Sequence, residues 1–442
     1  MPTSRKRSKK RRKIRFLGVI LGICLLAAIL LLAAVLLRGC SKDRKEASDE
    51  PAPEKSASPE IALSTPTQDF SALFGHKAVT SGECRLYTMN GGSPEDAGSV
   101  GQGVIFDIGE TQSGDMIEIR DSGFWIRGDD VTPSDRWYRN ATNLLPFGEE
   151  IVTANPYHIL DEEGNTVAEI SRSDTYQVYV QPGEEGMYGI RFQNAIFLIP
   201  SSEVTEVRKT EGGSNEDAGE IPVLMYHFFY SDADGGRRVD GNYVEVNELD
   251  EQLKYISENG FTALSMREVL YWMQRRAKVP SHSIAITIDD ADPSVHQYAM
   301  PVFAKYALRA TNFVICGWQP EEMPYELWEM RENGMELQSH GFLTHTGGCS
   351  GMGHGGLLLC MDHDAGVADT KQAFDYVDGG FVYCYPFGDI NEHAESIIRD
   401  GGAKLAFTTD GGRITQNMDP LALPRVRVTG GNGLSAFAAS IG

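Results

Sequence analysis

The chain has 442 residues, with 40 Lys and Arg against 62 Asp and Glu, a formal net charge of −22. Residues 1–45 hold thirteen of the basic residues and one acid, so the rest carries 27 basic against 61 acidic side chains, a formal −34. Such a surface excludes nucleic acid as a partner, because phosphate binding needs clustered Lys and Arg, and seven cysteines in this length exclude a disulfide scaffold.

The first fifteen residues contain nine basic side chains and no acid. Residues 16–37 then run for 22 positions without a charge or a proline, long enough to cross a bilayer and longer than the apolar part of a secretory signal. We therefore expect a cytoplasmic basic tail at 1–15, an uncleaved single-pass transmembrane helix at 16–37, and the remainder outside the cell membrane. Leu37-Arg38-Gly39-Cys40 faintly resembles a lipoprotein cleavage box, but Arg38 is unusual two residues before the cysteine. Residues 38–76 are rich in Pro, Ser, Ala, Glu and Lys without hydrophobic periodicity and read as a disordered stalk.

From Lys77 to Val207 the pattern is of short β-type runs between Gly, Asn, Asp and Ser, such as Ile117 to Ile119, Gln177 to Val180 and Ala195 to Ile199. Phe124-Trp125-Ile126-Arg127-Gly128-Asp129-Asp130-Val131 parallels Phe197-Leu198-Ile199-Pro200-Ser201-Ser202-Glu203-Val204. Each copy is preceded by an Ile-Arg pair, Ile119-Arg120 and Ile190-Arg191. Two copies of a small all-β barrel, at 77–140 and 141–207, would produce this repeat. The segment resembles tandem bacterial SH3-like modules, which implies attachment to the cell wall. A Gly, Ser, Glu and Asp-rich stretch, 208–220, is the expected linker.

Residues 221–442 alternate strand and helix signals. Ile221 to Tyr226 is a buried-strand run ending at His227. A helix follows, with Asn247 as its cap, Leu249, Leu253 and Ile256 on one face and Gly260 as its stop; Ser265 to Glu268 is a capping box for another. Runs at 284–288, 311–316, 336–338, 381–385 and 405–408 read as strands, and 301–306, 326–332, 367–376 and 392–399 as helices. The alternation implies an α/β fold with a parallel sheet wrapped by helices.

Two of these strands carry the chemistry. Ile284-Ala285-Ile286-Thr287-Ile288 ends in Asp289 and Asp290, adjacent carboxylates whose side chains leave a strand in opposite directions and can split roles. Glu336 to Ser339 runs into His340 and His345. One Asp and two His form a three-ligand set that leaves a coordination position open, as a hydrolytic metal site requires. Thr287 to Ala291 resembles the Thr-Phe-Asp-Asp-Gly motif of polysaccharide deacetylases with the NodB homology domain, carbohydrate esterase family 4, and His340 with His345 resembles its second motif. The histidines are five apart rather than four, as in the poly-N-acetylglucosamine deacetylase branch. The resemblance covers about residues 222–442.

That resemblance implies an irregular (β/α) barrel and a metal-dependent hydrolase that removes N-acetyl groups from cell-wall or surface N-acetylglucosamine polymers, either peptidoglycan or poly-N-acetylglucosamine. It assigns Asp290, His340 and His345 to one divalent metal ion, zinc first, with cobalt, nickel or iron as alternatives, and Asp289 to the catalytic base. In Tyr383-Cys384-Tyr385-Pro386-Phe387-Gly388-Asp389, which matches the third motif, the Phe387 backbone N–H would face the developing oxyanion. Many members have an Arg where this chain has Cys384; Arg425, with Asp410, is the candidate substitute for orienting Asp289. The late histidine that serves many members as general acid is also missing, which leaves Asp289 or His227 to move the proton. His227 equally suits a core histidine bonded to a carbonyl. Ala291 replaces the usual Gly.

The Gly-rich stretch 347–364 holds Cys349, His354, Cys360 and His363, compatible with a second metal, a disulfide or an untied loop over the substrate. Cys316 and Cys384 read as small core residues. Acetylated xylan or chitin oligomers are alternative substrates. The reading from another class is a catalytically weak deacetylase-fold protein that binds the wall as a scaffold.

Overall fold

In a computed structural model of the protein, the described residues are 68–134 and 142–442. The expected basic tail, transmembrane helix and most of the stalk lie outside them. Among the described residues no helix is long and apolar enough to cross a membrane.

Seven parallel strands close a barrel. They are β1 (Ile221–Tyr226), β2 (Ser283–Asp290), β3 (Thr311–Val314), β4 (Glu336–Ser339), β5 (Val382–Cys384), β6 (Leu405–Gly411) and β7 (Leu423–Arg427). Each pairs with the next, and β7 pairs back onto β1 through Leu224 and Val426. Every residue of β1, and Ser283 to Asp289 of β2, is buried, because the barrel covers one face and helices the other. The helices are α1 (Val246–Glu258), α2 (Met266–Met273), α3 (Met300–Lys305), α4 (Tyr325–Glu332), α5 (His363–Tyr376), α6 (Glu392–Asp400) and α7 (Gly433–Ile441).

Helix α1 buries Leu249, Leu253 and Ile256 as its periodicity predicts, and Gly260 follows it at φ 72°. Its cap is Glu245, whose carboxylate accepts the Asn247 N–H, rather than Asn247 itself. The capping box is present: Ser265 Oγ accepts the Glu268 N–H and Glu268 accepts that of Ser265. Strand β7 and helix α7 had no sequence signal of their own.

The β region is a repeat in fact as well as in pattern. Strands 93–100, 84–90, 124–127, 116–119, 105–113, 77–80 and 131–133 lie side by side in that order. Strands 166–170, 157–160, 195–200, 187–192, 175–180, 149–153 and 204–209 repeat the order element for element. The two seven-strand units join where Gly98, Ser99 and Val100 pair with Ile170, Glu169 and Ala168. A Cβ at Gly98 would stand 2.1 Å from the Glu169 carbonyl oxygen, so the junction needs glycine. The aromatic residues Phe106, Phe124 and Tyr157 are buried in these units. The boundary expected at 140/141 falls outside the described residues.

Two expected boundaries move. The first unit begins before residue 77: Phe70 and Leu73 are buried, and the Phe70 ring fills the space a Cβ at Gly128 would need. The 208–220 segment begins inside the strand 204–209 and is then held against the barrel. Lys278 Nζ donates to the Ser214 carbonyl (2.6 Å), the Val279 N–H to Asp217 (3.1 Å) and the Ser281 N–H to Glu216 (2.7 Å).

The second β unit docks on the barrel through Arg276. Its Nε donates to the Gln181 carbonyl (2.7 Å), its guanidinium lies 5.2 Å from the Tyr271 ring centre, and the Gln181 N–H returns a bond to the Arg276 carbonyl (2.8 Å). Arg276 is 8% exposed, so its loss leaves the part-buried Gln181 carbonyl without its donor. Arg276→Ala should lower unfolding stability by about 1.5–3 kcal/mol, the range for hydrogen bonds to a charged group. A urea midpoint equal to that of the unsubstituted chain would contradict this docking.

Candidate metal centre and active site

The carboxyl ends of the barrel strands converge on one site, where parallel α/β folds place their chemistry. Strand β2 delivers two carboxylates, and the chain turns sharply there: Asp290 has φ 78° and Ala291 φ 54°. Left-handed backbone costs an L-residue roughly 1–2 kcal/mol, least for Asp. The Ala291 replacement is therefore a strained position rather than a neutral one.

Asp289 is 2% exposed and gripped by Arg425, which is fully buried. Arg425 Nη1 donates to Asp289 Oδ1 and Nη2 to Oδ2, each at 2.7 Å. The fork is itself fixed, since Nε donates to the Thr408 carbonyl (3.0 Å), Nη1 to Thr287 Oγ1 (3.0 Å) and Nη2 to Cys384 Sγ (3.2 Å). Burial alone would raise the Asp289 pKa, yet the Arg425 charge and its two hydrogen bonds hold it well below the usual carboxylate range. Cys384 is packed against the ion pair, and burial pushes its thiol far up, so it stays neutral. Asp410 takes no part: it is exposed, and its N–H donates to Thr408 Oγ1 (3.1 Å).

Asp290 points instead at the histidines. Its Oδ1 lies 3.5 Å from His340 Nε2 and 3.6 Å from His345 Nε2. His340 Nδ1 is 2.8 Å from the Cys384 carbonyl, which only accepts, so Nδ1 carries the proton and Nε2 presents a lone pair to Asp290. Burial lowers both imidazole pKa values to about 4, leaving the rings neutral. Burial, then Asp289 and Asp292, raises Asp290 to about 7. A half-buried carboxyl group facing the Nε2 atoms of two neutral imidazoles lacks a cation, and the three ligand atoms lie within 4.8 Å of one another. These residues fit a divalent metal. A second cluster, Asp289 with His340 and Cys384, is as close, but the Arg425 fork already occupies both Asp289 oxygens and the thiol is neutral.

His227 follows β1, with Nε2 3.8 Å from Asp289 Oδ2. Its Nδ1 is buried with no hydrogen-bond partner among the described residues, so it is not the carbonyl-bonded core histidine that the sequence also allowed. Burial lowers its pKa, with Asp289 acting the other way. Phe387 adopts φ 62°, and its ring lies 4.6 Å from that of His345; Trp318 meets the same imidazole at 5.3 Å from another side. Both aromatics are exposed, at 38% and 67%.

Two acids that sequence reasoning missed hold the surrounding loops. Asp369 on α5 accepts the Phe342 and Leu343 N–H groups (3.0 and 2.7 Å) and the Thr344 hydroxyl (3.2 Å), fixing the turn between His340 and His345. An acid within the buried stripe Gly366, Asp369, Thr370, Ala373 was a legible signal of a polar partner. Asp389 pins the Gly-rich loop, in which Cys349 and Cys360 form a disulfide; among the alternatives for that loop the structure takes the covalent one.

Residues 276–406 match the family model described as polysaccharide deacetylase. The chain carries a polysaccharide deacetylase domain. The Bacillus subtilis (strain 168) protein YxkH, whose name assigns it to the polysaccharide deacetylases, is 27% identical over 256 residues, 55% of this chain and 85% of its own length. A Staphylococcus aureus (strain MRSA252) poly-beta-1,6-N-acetyl-D-glucosamine N-deacetylase is 24% identical over 216 residues, covering 46% of this chain and 72% of its own. The Streptococcus pyogenes deacetylase PplD, solved with acetate, aligns at TM-score 0.44 and 23% identity over 50% of this chain and 98% of its own. The deacetylase domain match takes in Asp289, Asp290, His340, His345 and Phe387, while His227 and Arg425 lie outside it.

Loosening the turn that Asp369 anchors should weaken metal binding, because supporting partners of ligands typically contribute 10- to 100-fold in affinity. Asp369→Asn is expected to bind zinc about 10-fold or more weakly in chelator competition. Unchanged affinity would show that the His345 position does not depend on Asp369.

Proposed function

We propose that the chain is a metal-dependent polysaccharide deacetylase that hydrolyses N-acetyl groups on N-acetylglucosamine polymers of the cell wall or cell surface. The observation that carries this reading is the division of labour at β2: Asp289 locked on Arg425, Asp290 left facing His340 and His345. The Staphylococcus aureus relative named above is a poly-beta-1,6-N-acetyl-D-glucosamine N-deacetylase, which supports this reading. Asp290, His340 and His345 would hold the metal, zinc first. When bound it supplies Lewis-acid polarisation of the acetamide carbonyl and acidifies water.

The protein groups do the rest. Asp289, kept ionised by Arg425, takes the proton as water oxygen bonds to the carbonyl carbon. So depressed a carboxylate is a poor place for that proton to stay, and His227 Nε2, 3.8 Å away, is the better base. His227 then delivers the proton to the amide nitrogen as the C–N bond breaks, giving acetate and a free amine. The Phe387 N–H donates to the developing oxyanion. Exposed Trp318 and Phe387 offer apolar faces to the sugar ring. The scaffold alternative drew on the missing Arg and late His; the Arg425 fork on Asp289 and His227 3.8 Å from the same carboxylate support the enzyme reading instead.

The two β units, read as SH3-like modules, would attach the enzyme to wall polymer. The 16–37 helix would anchor it in the cell membrane, with the N-terminus cytoplasmic and the catalytic domain outside.

The test is acetate release from N-acetylglucosamine oligomers and peptidoglycan by the full chain, metal-stripped and then refilled with zinc or cobalt. Release should disappear on stripping, return on refilling, and fall at least about 100-fold in Asp289→Asn, the lower range for a positioned acid–base group. Release that survives both treatments would refute the assignment.

A further inference from the structure

The Gly-rich loop beside the site is more elaborately fixed than closing it requires. Gly347 bridges Gly356, the Gly348 N–H donates to the Gly355 carbonyl (2.8 Å), and Cys349 is joined to Cys360. At its tip Asp389, 5% exposed, accepts the backbone N–H groups of His354 (2.8 Å) and Gly356 (2.9 Å). Those bonds already tie the loop down. Asp389 Oδ1 also lies 2.9 Å from His354 Nδ1, although the His354 side chain is 72% exposed. The carboxylate acceptor fixes the tautomer with the proton on Nδ1 and leaves Nε2 free.

A buried acid is thus committed to orienting an exposed imidazole. An ordered polar group facing solvent has paid its ordering entropy before any ligand arrives. The loop also borders the reaction centre. A Cβ at Gly356 would stand 3.2 Å from the Phe387 ring, and that ring lies 4.6 Å from His345. Exposed Met352, two residues before His354, adds an apolar surface beside it.

We propose that His354 is a specificity-determining, glycan-binding residue. Through Nε2 it hydrogen-bonds a ring hydroxyl of the polymer unit next to the one losing its acetyl group, and the disulfide-closed loop is the wall that carries it. This rests on the deacetylase reading, and the experiment separates the two.

Zinc-loaded full chain, His354→Ala and His354→Gln would be compared on N-acetylglucosamine pentamer and on 4-nitrophenyl acetate, which has no sugar. Loss of one hydrogen bond should raise KM for the pentamer about 3- to 10-fold in His354→Ala. The pentamer kcat and the ester rate should hold, and His354→Gln should recover part of the KM. An unchanged KM in His354→Ala overturns this proposal alone, as does a fall in the ester rate, which would mark the residue as structural. An unsubstituted chain that cleaves the ester but not the pentamer overturns the deacetylase reading and this proposal with it.

Discussion

The site depends on one buried ion pair. Asp289 and Arg425 meet in a bidentate fork, Arg425 fully buried and Asp289 all but buried. Removing one partner of such a pair typically costs about 3–5 kcal/mol, because the other charge is left buried and alone. The fork keeps Asp289 ionised despite its burial and takes one lone pair on each of its oxygens, while Asp290 is the carboxylate that faces the histidines. Arg425 reaches in from β7 to do this, and its guanidinium touches the sulfur of Cys384.

A second constraint is geometric. The barrel brings together residues from β1, β2, β4, β5 and β7, but strand ends alone do not place His345, which sits past a turn. Buried acids from outside the strands fix such segments: Asp369 holds the turn before His345 and Asp389 the disulfide-closed loop against Phe387. Each carboxylate offsets its desolvation with backbone N–H bonds. The strain of two consecutive left-handed residues, Asp290 and Ala291, is stored next to these anchored loops.

Much of this was legible in the sequence for definite reasons. A β-branched run ending in Asp-Asp, with two histidines after a second run, is a local pattern, and the strands and helices around it are strongly periodic. The β repeat was visible because Phe124 to Val131 and Phe197 to Val204 fill equivalent strand and turn positions. The edges were less so. Phe70 belongs to the first β unit through a long-range contact with Gly128, and Glu245 displaced Asn247 as the cap because its carboxylate accepts the Asn247 N–H, so the helix starts earlier. Asp410 was plausible as a partner for Asp289 only because nothing local says that its side chain leaves the barrel. The structure also chose the disulfide between Cys349 and Cys360, which spacing alone left open.

The most direct measurement of the account is the pH dependence of kcat/KM for acetate release in the zinc-loaded chain and in Arg425→Lys. A lysine keeps a positive charge but loses the fork, so burial of Asp289 is less fully offset and its pKa rises. The base is active only when deprotonated, so activity is lost as pH falls through that pKa. The acid limb should therefore move to higher pH in Arg425→Lys, with the plateau at high pH changed far less. An acid limb that stays in place would contradict the claim that Arg425 sets the ionisation of Asp289.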